Sequence, residues 1–216
     1  MRKITVLKEG WTFEKPGAEQ ERVTLPHSWN VVDGQDGGND YYRGTCTYTR
    51  QLTPEETAGE RVYLEVNGAN HTAEVFLNGE KLAAHEGGYS TFRVDLTPHL
   101  AETNTLTISV DNSDSDHVYP QKADFTFYGG LYREVRLIAV PEEHFELLKD
   151  GTPGIKVTPV VDLEQKSAKV TVETWQNASK VTVTVNGETK TVPSEDGHAC
   201  TEFTIQNVHL WDGLDD

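Results

Sequence analysis

Apolar and polar residues alternate along most of this chain. Arg61-Val62-Tyr63-Leu64-Glu65-Val66, Thr105-Leu106-Thr107-Ile108-Ser109-Val110 and Lys169-Val170-Thr171-Val172-Glu173-Thr174 each repeat with period two and are filled by β-branched or aromatic residues, the pattern of strands with one buried face. Asn78-Gly79 follows Glu74-Val75-Phe76-Leu77, and Asn186-Gly187 follows Val181-Thr182-Val183-Thr184-Val185. An Asn-Gly pair supplies the two successive positive φ angles of a tight hairpin turn, so each pair predicts an antiparallel hairpin. No window sustains apolar spacing at three and four residues; Pro54-Glu55-Glu56-Thr57-Ala58 is the best helical candidate, about one turn long. The fold class expected is therefore all-β.

The strand-like run Glu134-Val135-Arg136-Leu137-Ile138-Ala139-Val140 ends at Pro141-Glu142-Glu143, beyond which a new series of strands begins. This places a domain boundary near Pro141. Residues 1–140 suffice for a jelly-roll β-sandwich, and residues 141–216 for a smaller immunoglobulin-like one. The second part offers about six strand candidates, fewer than the roughly seven strands and 100 residues of a complete sandwich of that type. It is expected to be incomplete, cut from a longer polypeptide, because an unfinished sandwich leaves a sheet edge unpaired.

Composition narrows the classes of function. The hydrophobic fraction of 36% with 25% charged residues is that of a globular protein. No stretch approaches the roughly eighteen apolar residues of a membrane helix, and the start at Met1-Arg2-Lys3 lacks the apolar run of a secretion signal, so a cytoplasmic location is expected. Nineteen basic against 35 acidic residues give a net charge of −16, which repels phosphate backbones and anionic membranes and leaves neutral ligands unaffected. Cys46 and Cys200 are too far apart in sequence to suggest a disulfide framework or a zinc site, and both are expected to be reduced and buried.

Four segments carry a resemblance. The first is Leu25-Pro26-His27-Ser28-Trp29-Asn30 followed by Asp36-Gly37-Gly38-Asn39-Asp40-Tyr41-Tyr42-Arg43-Gly44. The second is Val75-Phe76-Leu77-Asn78-Gly79-Glu80 with His85-Glu86-Gly87-Gly88-Tyr89-Ser90-Thr91-Phe92. The third is Asn104-Thr105-Leu106 leading to Val110-Asp111-Asn112, and the fourth and most specific is Tyr119-Pro120-Gln121-Lys122-Ala123-Asp124-Phe125-Thr126-Phe127-Tyr128-Gly129-Gly130-Leu131-Tyr132-Arg133. In their order and spacing they resemble the sugar-binding domain of glycoside hydrolase family 2, the family of β-galactosidases. The resemblance implies a galactose-binding-like jelly roll in the first domain. The later region is similar only in strand pattern and in the closing Leu210-Trp211.

Within the fourth segment the family pattern implies that Asp124 accepts hydrogen bonds from sugar hydroxyls. A carboxylate suits that role because it offers two charged acceptor oxygens; the plainer alternative is an Asp that caps the following turn. The glycine-rich stretch 36–39 lets backbone approach a ligand, which makes Asn39 a second candidate, against an ordinary turn. Trp29, Tyr41, Tyr42, Tyr89 and Phe127 could stack on a pyranose but are read as core or interface material. Arg133 is read as structural, its planar fork holding a carboxylate and a loop. Asp111, Asp114 and Asp116 lack the glycine and distal glutamate of a calcium loop and are read as a solvated turn. No metal ligand set is predicted, and the sequence leaves any cofactor unspecified. Asn70-His71-Thr72 and Asn177-Ala178-Ser179 match the glycosylation pattern and are expected to be surface turns.

A retaining glycosidase needs two carboxyl groups about 5 Å apart, and the family places them on a (β/α)₈ barrel of about 250 residues. This helix-poor chain has no room for that barrel, so no catalytic residue is expected in it and the fragment alone is expected to be inactive. The implied role is non-catalytic: to complete the substrate pocket of a parent enzyme acting on terminal β-galactosides, with the parent's barrel and a β-galactoside or related sugar as partners. A homo-oligomer is left open. The alternatives are the front end of a β-glucuronidase or β-mannosidase, or a free-standing carbohydrate-binding module or adhesin.

Overall fold

The computed structural model describes residues 1–31, 33, 41–119, 126–211 and 213. It divides into two compact units, Met1–Glu142 and Glu143–Asp216. The first contains β1 (Lys3–Val6), β2 (Trp11–Glu14), β3 (Glu21–Val23), β4 (Thr45–Leu52), β5 (Arg61–Val66), β6 (Thr72–Leu77), β7 (Glu80–Glu86), β8 (Phe92–Asp95), β9 (Asn104–Asp111) and β10 (Val135–Val140). They form one sheet in the order β3-β2-β4-β9-β6-β7 and a second in the order β1-β10-β5-β8.

Alternation explains why the sheets face each other. Along β9 Leu106, Ile108 and Val110 are buried, while Thr105, Thr107, Ser109 and Asp111 keep partial contact with water. Trp11, Tyr48, Leu64, Leu77 and Leu137 meet them in one core, each large apolar side chain contributing about 1.5–3 kcal/mol through burial. The Asn78-Gly79 turn joins β6 to β7 with φ of 53° and 85° at its two residues, as its sequence predicts. The stretch Pro54–Ala58 is a turn without helix. Glu56 accepts from the backbone N–H of Thr53 at 2.9 Å and holds Arg50 through both carboxylate oxygens, which ties the segment to β4 instead of letting a helix propagate.

The second unit contains β11 (Ile155–Asp162), β12 (Ser167–Trp175), β13 (Lys180–Val185), β14 (Glu188–Pro193) and β15 (His198–Gln206). Five strands are thus present among the described residues, one fewer than the sequence pattern suggests. They form a β11-β12-β15 sheet and a β13-β14 hairpin, the latter turning at Asn186-Gly187. Ala168, Val170, Val172 and Phe203 form an immunoglobulin-like core. Val157 pairs in register with Val172 and Val161 with Ala168, yet Val157 is 57% and Val161 41% exposed. No described helix is long and apolar enough to cross a membrane.

Two further expectations are corrected. Cys46 is buried and free, and desolvation pushes its thiol up to about 12, but Cys200 is exposed. It lies on β15 between Ala199 and Thr201, whose side chains take the inward phase. Asn70 and His71 are buried rather than on a surface turn: Asn70 bridges to Gly130, and its side-chain amide donates to the Tyr128 carbonyl at 2.9 Å. Asn177 is exposed, as expected.

Candidate functional site

Asn39 and Asp124 lie outside the described residues. The chain on either side of the segments that carry them, 34–40 and 120–125, converges on two buried amides. Asn30 and Asn112 are both fully buried. Asn30 Oδ1 accepts from the Gly129 N–H at 2.7 Å and from Asn112 Nδ2 at 3.2 Å. Its Nδ2 donates to the Tyr42 carbonyl at 2.9 Å and to both Asp33 oxygens at 3.2 and 3.3 Å, while Asp33 Oδ2 accepts from the Tyr42 N–H at 3.0 Å. Asn112 Oδ1 accepts from the Gly44 N–H at 2.9 Å, and its Nδ2 donates to the Phe127 carbonyl at 3.3 Å.

Local sequence explains this convergence. Asn112 continues the inward phase of β9 after Leu106, Ile108 and Val110, so a polar side chain enters the core position just past the strand. Gly129 passes so close to Trp29 that a Cβ would meet its ring at 2.1 Å, and a Cβ on Gly130, at φ +129°, would meet the His27 carbonyl at 2.4 Å. The glycine pair thus lets residues 127–131 lie against 27–30, where the His27 N–H donates to the Leu131 carbonyl at 2.8 Å. Arg43 completes the cluster: Nε donates to the Asn112 carbonyl at 2.8 Å and Nη1 pairs with Asp114 at 2.6 Å. Asp114 is mostly exposed, so that ion pair adds little stability.

Beside this cluster, His71 packs edge-on against Phe127. Burial lowers its pKa, and the Arg43 charge lowers it further. Burial alone would raise the Asp111 carboxyl, but hydrogen bonds from Ser113 and Thr45 outweigh it and hold the group below the usual carboxylate range. Among the described residues no group of acidic, His or Cys side chains could hold a metal ion.

Trp29 and Phe127 are buried, Tyr41 and Tyr42 partly so, and Tyr89 is exposed. Arg133 holds a loop as expected, but through backbone carbonyls of Tyr89 at 2.8 Å and Asn67 at 3.3 Å instead of a carboxylate. The loop it fastens offers carbonyls at the positions the guanidinium reaches. Sequence reasoning gave Asn30 and Asn112 no role, although each stands in a segment that carries the resemblance. The readable signal was a polar residue in the apolar phase of β9.

A two-sheet jelly roll in one unit and an immunoglobulin-like fold in the other define an all-β sandwich protein. Residues 11–141 match the model of the glycosyl hydrolases family 2 sugar binding domain, and the chain belongs to glycoside hydrolase family 2. It is 30% identical to a β-glucuronidase of Bacteroides fragilis, an alignment covering all of this chain and 34% of the relative. Among solved structures it is similar to the FMN-binding β-glucuronidase from Facaelibacterium prausnitzii L2-6, with 39% identity and a TM-score of 0.82 over 98% of this chain and 35% of that one. It is also similar to a putative β-galactosidase from Bacteroides fragilis, with 27% identity and a TM-score of 0.86 over 100% and 37%. The chain therefore spans about a third of the length of these relatives.

Proposed function

We propose that this chain is the supporting front portion of a longer retaining β-glycosidase. Its jelly roll lends one wall of the substrate pocket to a catalytic barrel elsewhere in the polypeptide, and Asp124 accepts hydrogen bonds from hydroxyls of the terminal sugar. The observation that carries this reading is the family match over residues 11–141 in a chain that spans only a third of its relatives. A terminal β-glucuronide is the favoured substrate, because the relatives matched over the whole chain at 30% and over 98% of it at 39% identity are named β-glucuronidases. A terminal β-galactoside is the second reading, favoured by the likeness to the putative β-galactosidase structure and by the motif around Asp124.

The test uses the full-length protein with paired chromogenic β-glucuronide and β-galactoside substrates. The higher kcat/KM is expected with the glucuronide; a clear preference for the galactoside selects the second reading. With the preferred substrate, Asp124→Ala should cost about 1.5–3 kcal/mol, the range for hydrogen bonds to a charged group, or about a ten- to two-hundredfold loss in kcat/KM. An unchanged kcat/KM in a variant with unchanged melting temperature would return Asp124 to turn capping.

A further inference from the structure

We infer that Asn186 is a modification site: its side-chain amide is lost spontaneously to water, ahead of the other Asn-Gly pairs in the chain, and the loss loosens the β13-β14 hairpin. Three such pairs occur, Asn67-Gly68, Asn78-Gly79 and Asn186-Gly187. Glycine favours the reaction because no side chain shields its backbone nitrogen. The Gly187 nitrogen, having given up its proton, attacks Cγ of Asn186; the new N–Cγ bond closes a cyclic imide, the Cγ–Nδ2 bond breaks, and Nδ2 leaves with that proton as ammonia. Water then opens the imide at either carbonyl, leaving an aspartyl residue or an isoaspartyl one, in which the backbone runs through the side-chain carbon. Nothing is oxidised or reduced, and water is the co-reactant.

The fold separates three pairs that the sequence makes alike. Ring closure swings the glycine nitrogen toward the Asn side chain, a rotation restrained while the surrounding chain is fixed, so ease of local opening selects the site. Asn78 is fastened on both faces of its amide: Oδ1 accepts from the Thr105 N–H at 2.9 Å and Nδ2 donates to Asn104 Oδ1 at 3.3 Å. Its own N–H donates to the Thr105 carbonyl at 2.9 Å, and β6 before it lies between β9 and β7. Asn67 donates its N–H to the Glu134 carbonyl at 3.1 Å and accepts Arg133 Nη1 on its carbonyl at 3.3 Å. Gly68 is buried, with the Tyr132 ring 2.9 Å from where a Cβ would stand. Asn186 and Gly187 are both exposed, and a Cβ on Gly187 would meet nothing within 4 Å. Their strands form a two-stranded sheet of their own, the kind of hairpin that opens most readily.

The isoaspartyl product has a consequence for packing. It lengthens the backbone inside a turn that Val185 and Glu188 close in register, and Val183 and Val185 of the same strand pack against the core of the second unit. A longer turn shifts that register and with it the apolar phase of β13.

The test holds the purified chain in mildly alkaline buffer, natively and in urea, and maps amide loss over time by proteolysis and mass spectrometry. In the native chain Asn186 should convert at least about tenfold faster than Asn78 or Asn67. In urea the three should convert within about threefold of one another, since the fold no longer distinguishes them. Native rates at Asn78 or Asn67 equal to that at Asn186 would overturn the inference. So would a native Asn186 that stays intact while urea converts it, or a preference for Asn186 that persists unchanged in urea. Asn186→Gln, whose longer side chain closes its ring far more slowly, should abolish the early acidic shift of the native protein on isoelectric focusing; a shift that remains places the loss elsewhere. The isoaspartyl fraction, separated by ion exchange, should lose hydrogen-exchange protection across β13 and β14, and unaltered protection would overturn the loosening.

Discussion

The ring of Trp29 occupies the space into which any side chain on Gly129 would project: a Cβ there would lie 2.1 Å from one ring carbon and 2.8 Å from Asn112 Nδ2. Neither neighbour is free to yield, because Trp29 is 9% exposed and Asn112 is fully buried. The backbone of residues 127–131 can approach 27–30 only because position 129 carries no side chain.

Gly129→Ala is therefore expected to destabilise the first unit by about 1–3 kcal/mol, the range for overpacking a rigid core. Thermal unfolding should show a midpoint lowered by several degrees. An unchanged midpoint would mean that the Trp29 ring and the Asn112 amide relax together at no cost, contrary to the packing described.

Glu65 and Arg93 form a second tight relationship. Their side chains are 6% and 8% exposed and meet at 2.7 Å, with Arg136 reaching the other Glu65 oxygen at 3.4 Å. Glu65→Ala removes the buried carboxylate that Arg93 and Arg136 share, which should cost about 3–5 kcal/mol, the range for breaking a buried ion pair. Replacing both Glu65 and Arg93 by leucine should cost clearly less than the single change. Urea unfolding of the two variants compares them directly, and a double variant less stable than Glu65→Ala would contradict the desolvation argument.

These particulars mark what was legible in the sequence. The β6–β7 hairpin and the alternation of β9 were readable because they rest on local turn chemistry and on a period of two. Sheet order was not, since β10 pairs with both β1 and β5 across long stretches of chain, and nothing local encodes that choice. Glu65 occupies the polar phase of an alternating strand, which reads as solvent-facing, yet it is buried by tertiary packing. The resemblance supplied Asp124 as a candidate and the glycine-rich stretch 36–39 supplied Asn39, whereas the pairing of Asn30 with Asn112 joins residues 82 positions apart, a contact that nothing local encodes.

Acid should weaken the fold in two separate ranges. Burial lowers the pKa values of His27, His71 and His85 below the ordinary 6.5. The unfolded chain then binds protons that the folded one refuses, so the stability these groups confer is complete above pH 6.5 and is lost as pH falls below it. Glu56, held low chiefly by its bonds from Arg50, acts only below the usual carboxylate value of 4.5. Melting temperatures of wild type and His71→Gln should diverge in slope between pH 7 and pH 5, the variant falling less steeply. Parallel slopes would show that His71 takes up its proton without cost in the folded protein.

The isolated chain should neither turn over a glycoside nor hold a free sugar tightly. Retaining hydrolysis requires a nucleophile and an acid/base carboxyl about 5 Å apart, and the proposed pair belongs to a barrel outside these residues. No release of chromophore from a β-glucuronide or β-galactoside is expected above background, and turnover by a contaminant-free sample would overturn the supporting role. For binding, the candidate Asp124 carboxylate and Asn39 amide would offer only a few hydrogen bonds worth about 1 kcal/mol net each. Immobilising the ligand consumes most of that gain, which leaves affinity at about the millimolar level or weaker. A calorimetric titration with glucuronic acid or galactose should show no saturation below that range. A micromolar constant would instead mean that the jelly roll forms a complete sugar site of its own, which is the behaviour of a free-standing carbohydrate-binding module and not of one wall of a shared pocket.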